Sequence, residues 1–339
     1  MSEGFHGTNP EAVLDLLRAR RRRGPGSDDG RKLALIVEGG GMRGVLSAGS
    51  LLAVDVLGYR DAFDEVFACS AGAVNAAYFL SGQGALGITV YFDSINNRRF
   101  YNPFRVRRMV DVGFVYDYIV PLVKVLDESA IRAGRTELFI SVTDALTGLN
   151  VLLNVKEVLE PVSLVLKASS ALPVLFNQTV MIGGREYVDG GVSCILPILQ
   201  AAERGCTDFL ILLTRPREHS AADATRVQMA LLYAMLGRRY PALMGAFSQA
   251  PRRANYDRRI AMGYELISGV SIATVCPTPA SLGVGRTTLD RARLVEGARV
   301  MARKTADLFG EQSTELDALF EEYRRPPVPS GPGTVEQGA

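Results

Sequence analysis

Leu33-Ala34-Leu35-Ile36-Val37-Glu38-Gly39-Gly40-Gly41-Met42-Arg43-Gly44 is the stretch that decides the fold class. Five apolar residues in an unbroken run suit a strand buried on both faces, as parallel sheets require. The glycines let the chain turn tightly, and residues 45–57 then carry apolar side chains at helical spacing. The same strand-then-helix order recurs downstream. Residues 66–69 read as a second strand and 71–80 as a second helix; 137–143 and 150–154 read as a strand pair turned at Thr147-Gly148. Residues 161–171 read as a helix, 186–188 as a brief strand ending at Asp189, and 208–213 as a further buried strand between helices near 195–204 and 225–236. A last strand is expected at 270–276 and a last helix at 289–309. The alternation predicts an α/β protein, a three-layer α/β/α arrangement with a mostly parallel central sheet.

Composition narrows the function classes. The chain has 339 residues, 47% hydrophobic and 22% charged, enough for one large core, so disorder is excluded for most of it. Its 38 basic and 36 acidic residues leave a net charge of +2, which argues against a dedicated nucleic-acid binder. The four cysteines, Cys69, Cys194, Cys206 and Cys276, lie far apart with no CxxC, so neither a metal site nor a disulfide framework is indicated. The first residues lack a basic start followed by an apolar run, and no apolar stretch reaches the ~20 residues of a spanning helix; a cytoplasmic protein is the expectation. Residues 1–31 read as a helix fraying into a basic linker, with Arg20–Arg23 as a solvated face, and residues 311–339 as the end of a terminal helix followed by a Pro/Gly-rich disordered tail.

Ligands of such sheets bind beyond the carboxyl ends of the strands. Three places there carry chemistry. Gly39, Gly41 and Gly44 satisfy GxGxxG, and Asp61 or Asp64 lies about where a ribose-binding acid is sought, which suits a nucleotide. The same bare N–H groups at a helix N-terminus equally suit an oxyanion hole. In Ala68-Cys69-Ser70-Ala71-Gly72 a serine occupies the sharp turn from strand to helix, as in a nucleophile elbow, with Ala68 where GxSxG has its first glycine. The plain alternative is an N-cap serine. The third place is Asp189-Gly190-Gly191, a β-turn signal that also ends a strand.

A serine needs a base. His6 lies in a segment expected to be mobile; His219 lies at the correct sheet edge, and the order Ser70, acid, His219 would match a triad. Asp189 is the favoured partner, provided that burial raises its basicity.

Taken together, GGGMRG at 39–44, ACSAGA at 68–73 and DGG at 189–191 resemble the patatin-like phospholipase family, in a bacterial branch. Lys167-Ala168-Ser169-Ser170-Ala171-Leu172-Pro173 and Thr143-Asp144 with Thr147-Gly148 add to the likeness, which covers about residues 33–215. The resemblance implies a patatin-like catalytic domain over 32–310 with Ser70 as nucleophile and Asp189 as its partner in a Ser–Asp dyad. It implies an oxyanion hole within Gly39, Gly40, Gly41, Met42, Arg43 and Gly44, the donors being the N–H groups of Gly40, Gly41 and Met42. Arg43 is either structural or a phosphate contact. Ala68 departs from the family's glycine. The activity implied is hydrolysis of phospholipid or other lipid esters through an acyl-enzyme, with no cofactor and no metal.

The substrate side is less determinate. Met229, Leu232, Met235 and Leu236, followed by Arg238 and Arg239, fit a core-facing helix or an apolar acyl groove with a basic edge. Arg98, Arg99, Arg105, Arg107 and Arg108, interleaved with Phe100, Tyr101 and Phe104, suit headgroups, and transient contact with the inner membrane surface is expected. Asp144 is expected to cap the turn toward Thr147. Two rivals stand beside the hydrolase: a nucleotide-binding oxidoreductase using the glycine cluster, and a non-catalytic lipid-binding relative whose elbow Ala68 has spoiled. Oligomeric state is not legible.

Overall fold

The expected first strand is β1 (Leu33–Val37), buried along its whole length. The structure, a computed structural model, describes residues 5–24, 29–105, 109–176, 178–222, 225, 229–230, 232–278 and 283–326. Seven more strands join β1 in one sheet: β2 (Glu65–Cys69), β3 (Glu137–Asp144), β4 (Asn150–Asn154), β5 (Val180–Ile182), β6 (Arg185–Asp189), β7 (Asp208–Leu212) and β8 (Ser271–Val275). The order is β5-β6-β3-β2-β1-β7-β8, with β4 also paired to β3. The five strands from β3 to β8 in that order are parallel; β4, β5 and β6 pair antiparallel.

Period-two alternation divides β1 between two cores. Leu33, Leu35 and Val37 face the larger one, under helices Gly44–Val56, Ala71–Leu80 and Arg291–Phe309. Ala34 and Ile36 face the other, covered by helix Ile198–Glu203 and the end of helix Pro241–Ala261. This is the three-layer α/β/α architecture expected from the sequence.

β3 changes partners midway. Glu137–Ser141 pairs with β2, which ends opposite Ser141. Val142–Asp144 then pairs with β6, which arrives from the opposite direction and ends with Asp189 across from Val142. Because β4 occupies the other edge at Phe139–Thr143, β2 and β6 must share one edge and meet end to end.

Several expectations change. The three-residue β5, which forms a hairpin with β6, is too short to leave a periodic signal. The N-terminal segment is tied down rather than mobile: His6 and Thr274 exchange backbone hydrogen bonds of 3.2 and 2.8 Å. Arg20 is not solvated. It lies 5% exposed, donating to Asp29 at 2.8 and 2.9 Å and to Asp64 at 2.6 Å; two carboxylates draw it in where Arg21, Arg22 and Arg23 stay nearer solvent. The last expected helix stops at Gly310, whose left-handed conformation (φ 71°) suits glycine. A further helix, Thr314–Arg324, is N-capped by Ser313 and places Leu316, Phe320 and Tyr323 in the larger core. Leu232 and Leu236 pack with Val188, Val192, Tyr240 and Leu243, so this face turns inward. Residues 226–228 and 231, the Met235 side chain, Arg107, Arg108 and the tail beyond 326 lie outside the described residues.

Candidate active site

Ser70 follows β2 with φ 56° and ψ −132°. Non-glycine residues reach such backbone regions at a cost on the order of 1–3 kcal/mol. Close approach of the neighbouring loop holds the turn in place. A Cβ on Gly72 would strike the Val37 carbonyl, and one on Gly39 would strike the Cys69 carbonyl and the Ser70 Cβ. The loops after β1 and β2 therefore interlock, and only glycine fits at either contact. Ala68 lies fully buried inside β2, in register with Val37 and Ile140, so its methyl group leaves the strand ladder intact.

The Ser70 hydroxyl donates to Asp189 Oδ2 at 3.0 Å. The partner change along β3 makes this contact, since Ser70 leaves the end of β2 where Asp189 ends β6. Asp189 Oδ1 accepts the Gly191 N–H at 2.7 Å, with the Cys69 Sγ at 3.8 Å. Burial pushes the Asp189 pKa up to about 6, although the Gly191 and Ser70 hydrogen bonds and the charge of Arg286 oppose it. The carboxylate thus gains the basicity that the sequence argument required. Cys69 is a buried free thiol, as a small hydrophobe would be.

Gly40 and Gly41 take positive φ, 154° and 61°. Among the described residues their N–H groups donate to nothing. Met42 differs from expectation: its N–H donates to the Arg286 carbonyl at 3.1 Å. The Gly44 N–H turns to the carbonyls of Gly41 and Met42. Of the three expected donors, Gly40 and Gly41 therefore keep free N–H groups. The Arg43 guanidinium folds back beside Gly40, and its Nε and one Nη are buried without an acceptor. Burial, then the charge of Arg215, lowers its pKa to about 10.

Supporting side chains that sequence reading had not singled out brace this arrangement. Ser169 Oγ accepts the Ser70 N–H at 2.8 Å and donates to the Ser141 carbonyl at 2.7 Å. Glu38, 1% exposed, accepts the Thr214 N–H and hydroxyl at 2.6 and 3.1 Å. Asn75 donates to the Gly44 carbonyl at 2.8 Å and accepts the Tyr91 hydroxyl at 2.9 Å. No local motif marks these partners, although Ser169 lies in a segment already noted for its likeness.

Other candidates separate from the site. Asp64 accepts the Leu33 N–H at 2.7 Å, at the beginning of β1. Asp61 and Asp64 both precede β2, so they stand at the opposite end of the strands from the glycine cluster, and neither can serve a ribose there. His219 makes no hydrogen bond to Ser70 or Asp189; burial, then Arg215, Arg258 and Arg43, lower its pKa to about 4. Asp144 caps its turn, accepting the N–H groups of Leu146 and Thr147 at 3.0 and 2.9 Å.

A pocket of about 490 Å³ opens on Ser70 and Asp189. Its apolar wall includes Val74, Val90, Ile95, Phe100, Val112 and Tyr116. Sequence reading sought the groove near 226–250, from which Ala250 does line the pocket; residues between 90 and 116 supply most of the apolar wall. Arg99 and Arg105 shape the wall from outside. Arg99 stacks over Phe114 at 4.2 Å, and Arg105 donates to the Arg99 carbonyl at 2.6 Å. Among the described residues no helix is long and apolar enough to cross a membrane, and no group of His, Cys, Asp or Glu is placed to hold a metal.

Residues 35–202 match the family model of patatin-like phospholipases. The uncharacterized protein YjjU of Escherichia coli (strain K12) is 27% identical over 193 residues, covering 55% of this chain and 53% of that protein. The chain thus spans about half the length of this curated relative. Among solved structures, VipD from Legionella pneumophila is similar at 14% identity and a TM-score of 0.40, over 83% of this chain and 67% of that one. The matched segment contains the glycine cluster, the serine turn and the Asp-Gly-Gly turn, and through it the chain belongs to the patatin-like phospholipase family.

Proposed function

We propose that the protein is a serine acyl-ester hydrolase of phospholipid or other lipid esters, with Ser70 as nucleophile and Asp189 as its base. The single observation that carries the proposal is the 3.0 Å hydrogen bond from the Ser70 hydroxyl to a buried carboxylate. Its family is one of lipid hydrolases.

The chemistry follows from the atoms. Asp189 takes the hydroxyl proton as Ser70 Oγ attacks the ester carbonyl. The N–H groups of Gly40 and Gly41 meet the developing oxyanion. Collapse releases the alcohol, which takes the proton from Asp189, and leaves an acyl-Ser70 ester. Water, deprotonated by Asp189, then frees the fatty acid. The apolar pocket wall accommodates the acyl chain. Cytoplasmic residence with transient contact at a membrane surface belongs to the same proposal, supported by exposed Phe104 beside exposed Arg98 and Arg99.

The oxidoreductase alternative loses its support with the ribose acid. The non-catalytic alternative loses its motive because Ala68 fits inside the strand.

A fluorophosphonate should label Ser70, with the adduct mapped by peptide mass spectrometry. Ser70→Ala should lose both labelling and turnover of a short-chain ester, and His219→Ala should keep both. Turnover surviving in Ser70→Ala would remove the proposal.

A further inference from the structure

One end of the pocket is positively charged beyond what the dyad needs. Arg43, Arg215, Arg258 and Arg286 come from separate stretches of chain and lie within one another's electrostatic reach. Two buried carboxylates stand among them, Glu38 and Asp189, the latter facing Arg286, and the exposed Glu218 faces Arg258. Glu38 has committed one oxygen to Thr214, and its other oxygen stands 3.7 Å from the Arg215 Nε, too far for a hydrogen bond.

The arginines differ in how they are satisfied. Arg258 donates to the carbonyls of Arg215 and Pro216, which fixes the loop after β7. Among the described residues the Nε and one Nη of Arg43 and the Nε of Arg215 are buried with no hydrogen-bond partner, whereas Arg286 is exposed. Arg215 is 7% exposed, yet it lines the pocket together with Arg286, Gly40, Gly41 and Ser70. Burying Arg215 with its Nε unmet by any acceptor and only Glu38 within ion-pair range is costly, and a ligand that supplies acceptor oxygens offsets the cost. Guanidinium forks match the paired oxygens of phosphate, and a phosphate presents enough oxygens and charge to engage two forks at once.

We propose that Arg215 and Arg286 form a phosphate subsite beside Ser70, so that the preferred substrate is an acyl ester carrying a phosphate close to its ester. This specificity rests on the hydrolase reading above; the anion site itself does not. The acyl chain lies along the apolar wall while the phosphate faces the arginines, and the scissile carbonyl is held between them at Ser70.

Two measurements test it separately from the hydrolase chemistry. The first is calorimetric titration of Ser70→Ala protein with inorganic phosphate, octyl phosphate and neutral octyl glucoside. Octyl phosphate should bind at least about tenfold tighter than octyl glucoside, and Arg215→Gln and Arg286→Gln should each weaken it about tenfold. Binding of inorganic phosphate with the same arginine dependence means that the ion alone is recognised. Binding of octyl phosphate only means that the lipid chain is needed too. Both outcomes support the subsite; equal binding of phosphate and glucoside amphiphiles, or no dependence on either arginine, overturns it. Arg286, exposed at the pocket mouth, keeps the test decisive if replacing buried Arg215 impairs folding.

The second measurement is the ratio of kcat/KM for a lysophosphatidate over a monoacylglycerol of the same chain. Wild type should favour the phosphate-bearing ester, with the ratio falling about tenfold in each arginine variant. Turnover of both esters without preference overturns the subsite and leaves the hydrolase standing. Phosphate binding without turnover of either ester removes the hydrolase and leaves the subsite standing.

Discussion

Replacing Asp189 by Asn should make the protein more stable and inactive at once. The carboxyl is 6% exposed, and burial lifts its pKa from 3.8 to about 6. A shift of about two units corresponds to about 3 kcal/mol between the charged and neutral forms. The sign follows from the raised value. The folded protein binds this proton more tightly than the unfolded chain does, so the penalty is absent below the unfolded pKa and complete once the pH exceeds about 6. At pH 8 wild type carries the full penalty, while at pH 5 it carries about half of it. Asn keeps the shape; its one carbonyl oxygen can still accept the Gly191 N–H, while its NH2 takes the place of Oδ2 and can only donate to the Ser70 oxygen, so a net gain of about 1–2 kcal/mol at pH 8 is expected. In thermal unfolding that is a rise of about 1–3 °C in Tm, shrinking as the buffer is taken to pH 5. Loss of the base should lower kcat by about 10²–10⁴. A variant less stable than wild type at pH 8, a gap that does not narrow on acidification, or retained turnover would refute the reasoning.

Further outcomes follow from the same geometry. The pH profile of kcat/KM on a short soluble ester should rise with a midpoint near pH 6 as Asp189 loses its proton, falling about tenfold per unit well below it; a flat profile from pH 5 to 8 would contradict the assigned base. Ser169→Ala leaves the Ser70 N–H and the Ser141 carbonyl unpaired, at a cost of about 1–3 kcal/mol. It should lower kcat more than it changes KM, which steady-state kinetics on the same ester would read. Arg20→Met strands Asp29 and Asp64 without their buried partner. Urea unfolding should show a loss of about 3 kcal/mol, with the pocket's chemistry unaffected.

The sequence by itself determined whatever depends on near neighbours in the chain. An unbroken apolar run followed by glycines and a helical period specifies a buried strand and the turn after it, so β1, β2 and the helices that follow them were legible. So were the three loops that carry chemistry, because tight turns demand glycine and a strand-to-helix serine stands out locally. Short β5 left no period to detect, and Arg20 within an arginine run gave no sign of the carboxylates waiting for it. Tertiary structure alone decided which loops meet. Ser70 and Asp189 are 119 residues apart, and they touch because β3 exchanges one partner for another along a single edge, a long-range pairing that no local pattern encodes. The same holds for Arg286, whose carbonyl takes the Met42 N–H, and for the arginines that gather beside it. Each is an ordinary basic residue in sequence, and their concentration at one end of the pocket exists only where separate segments pack together.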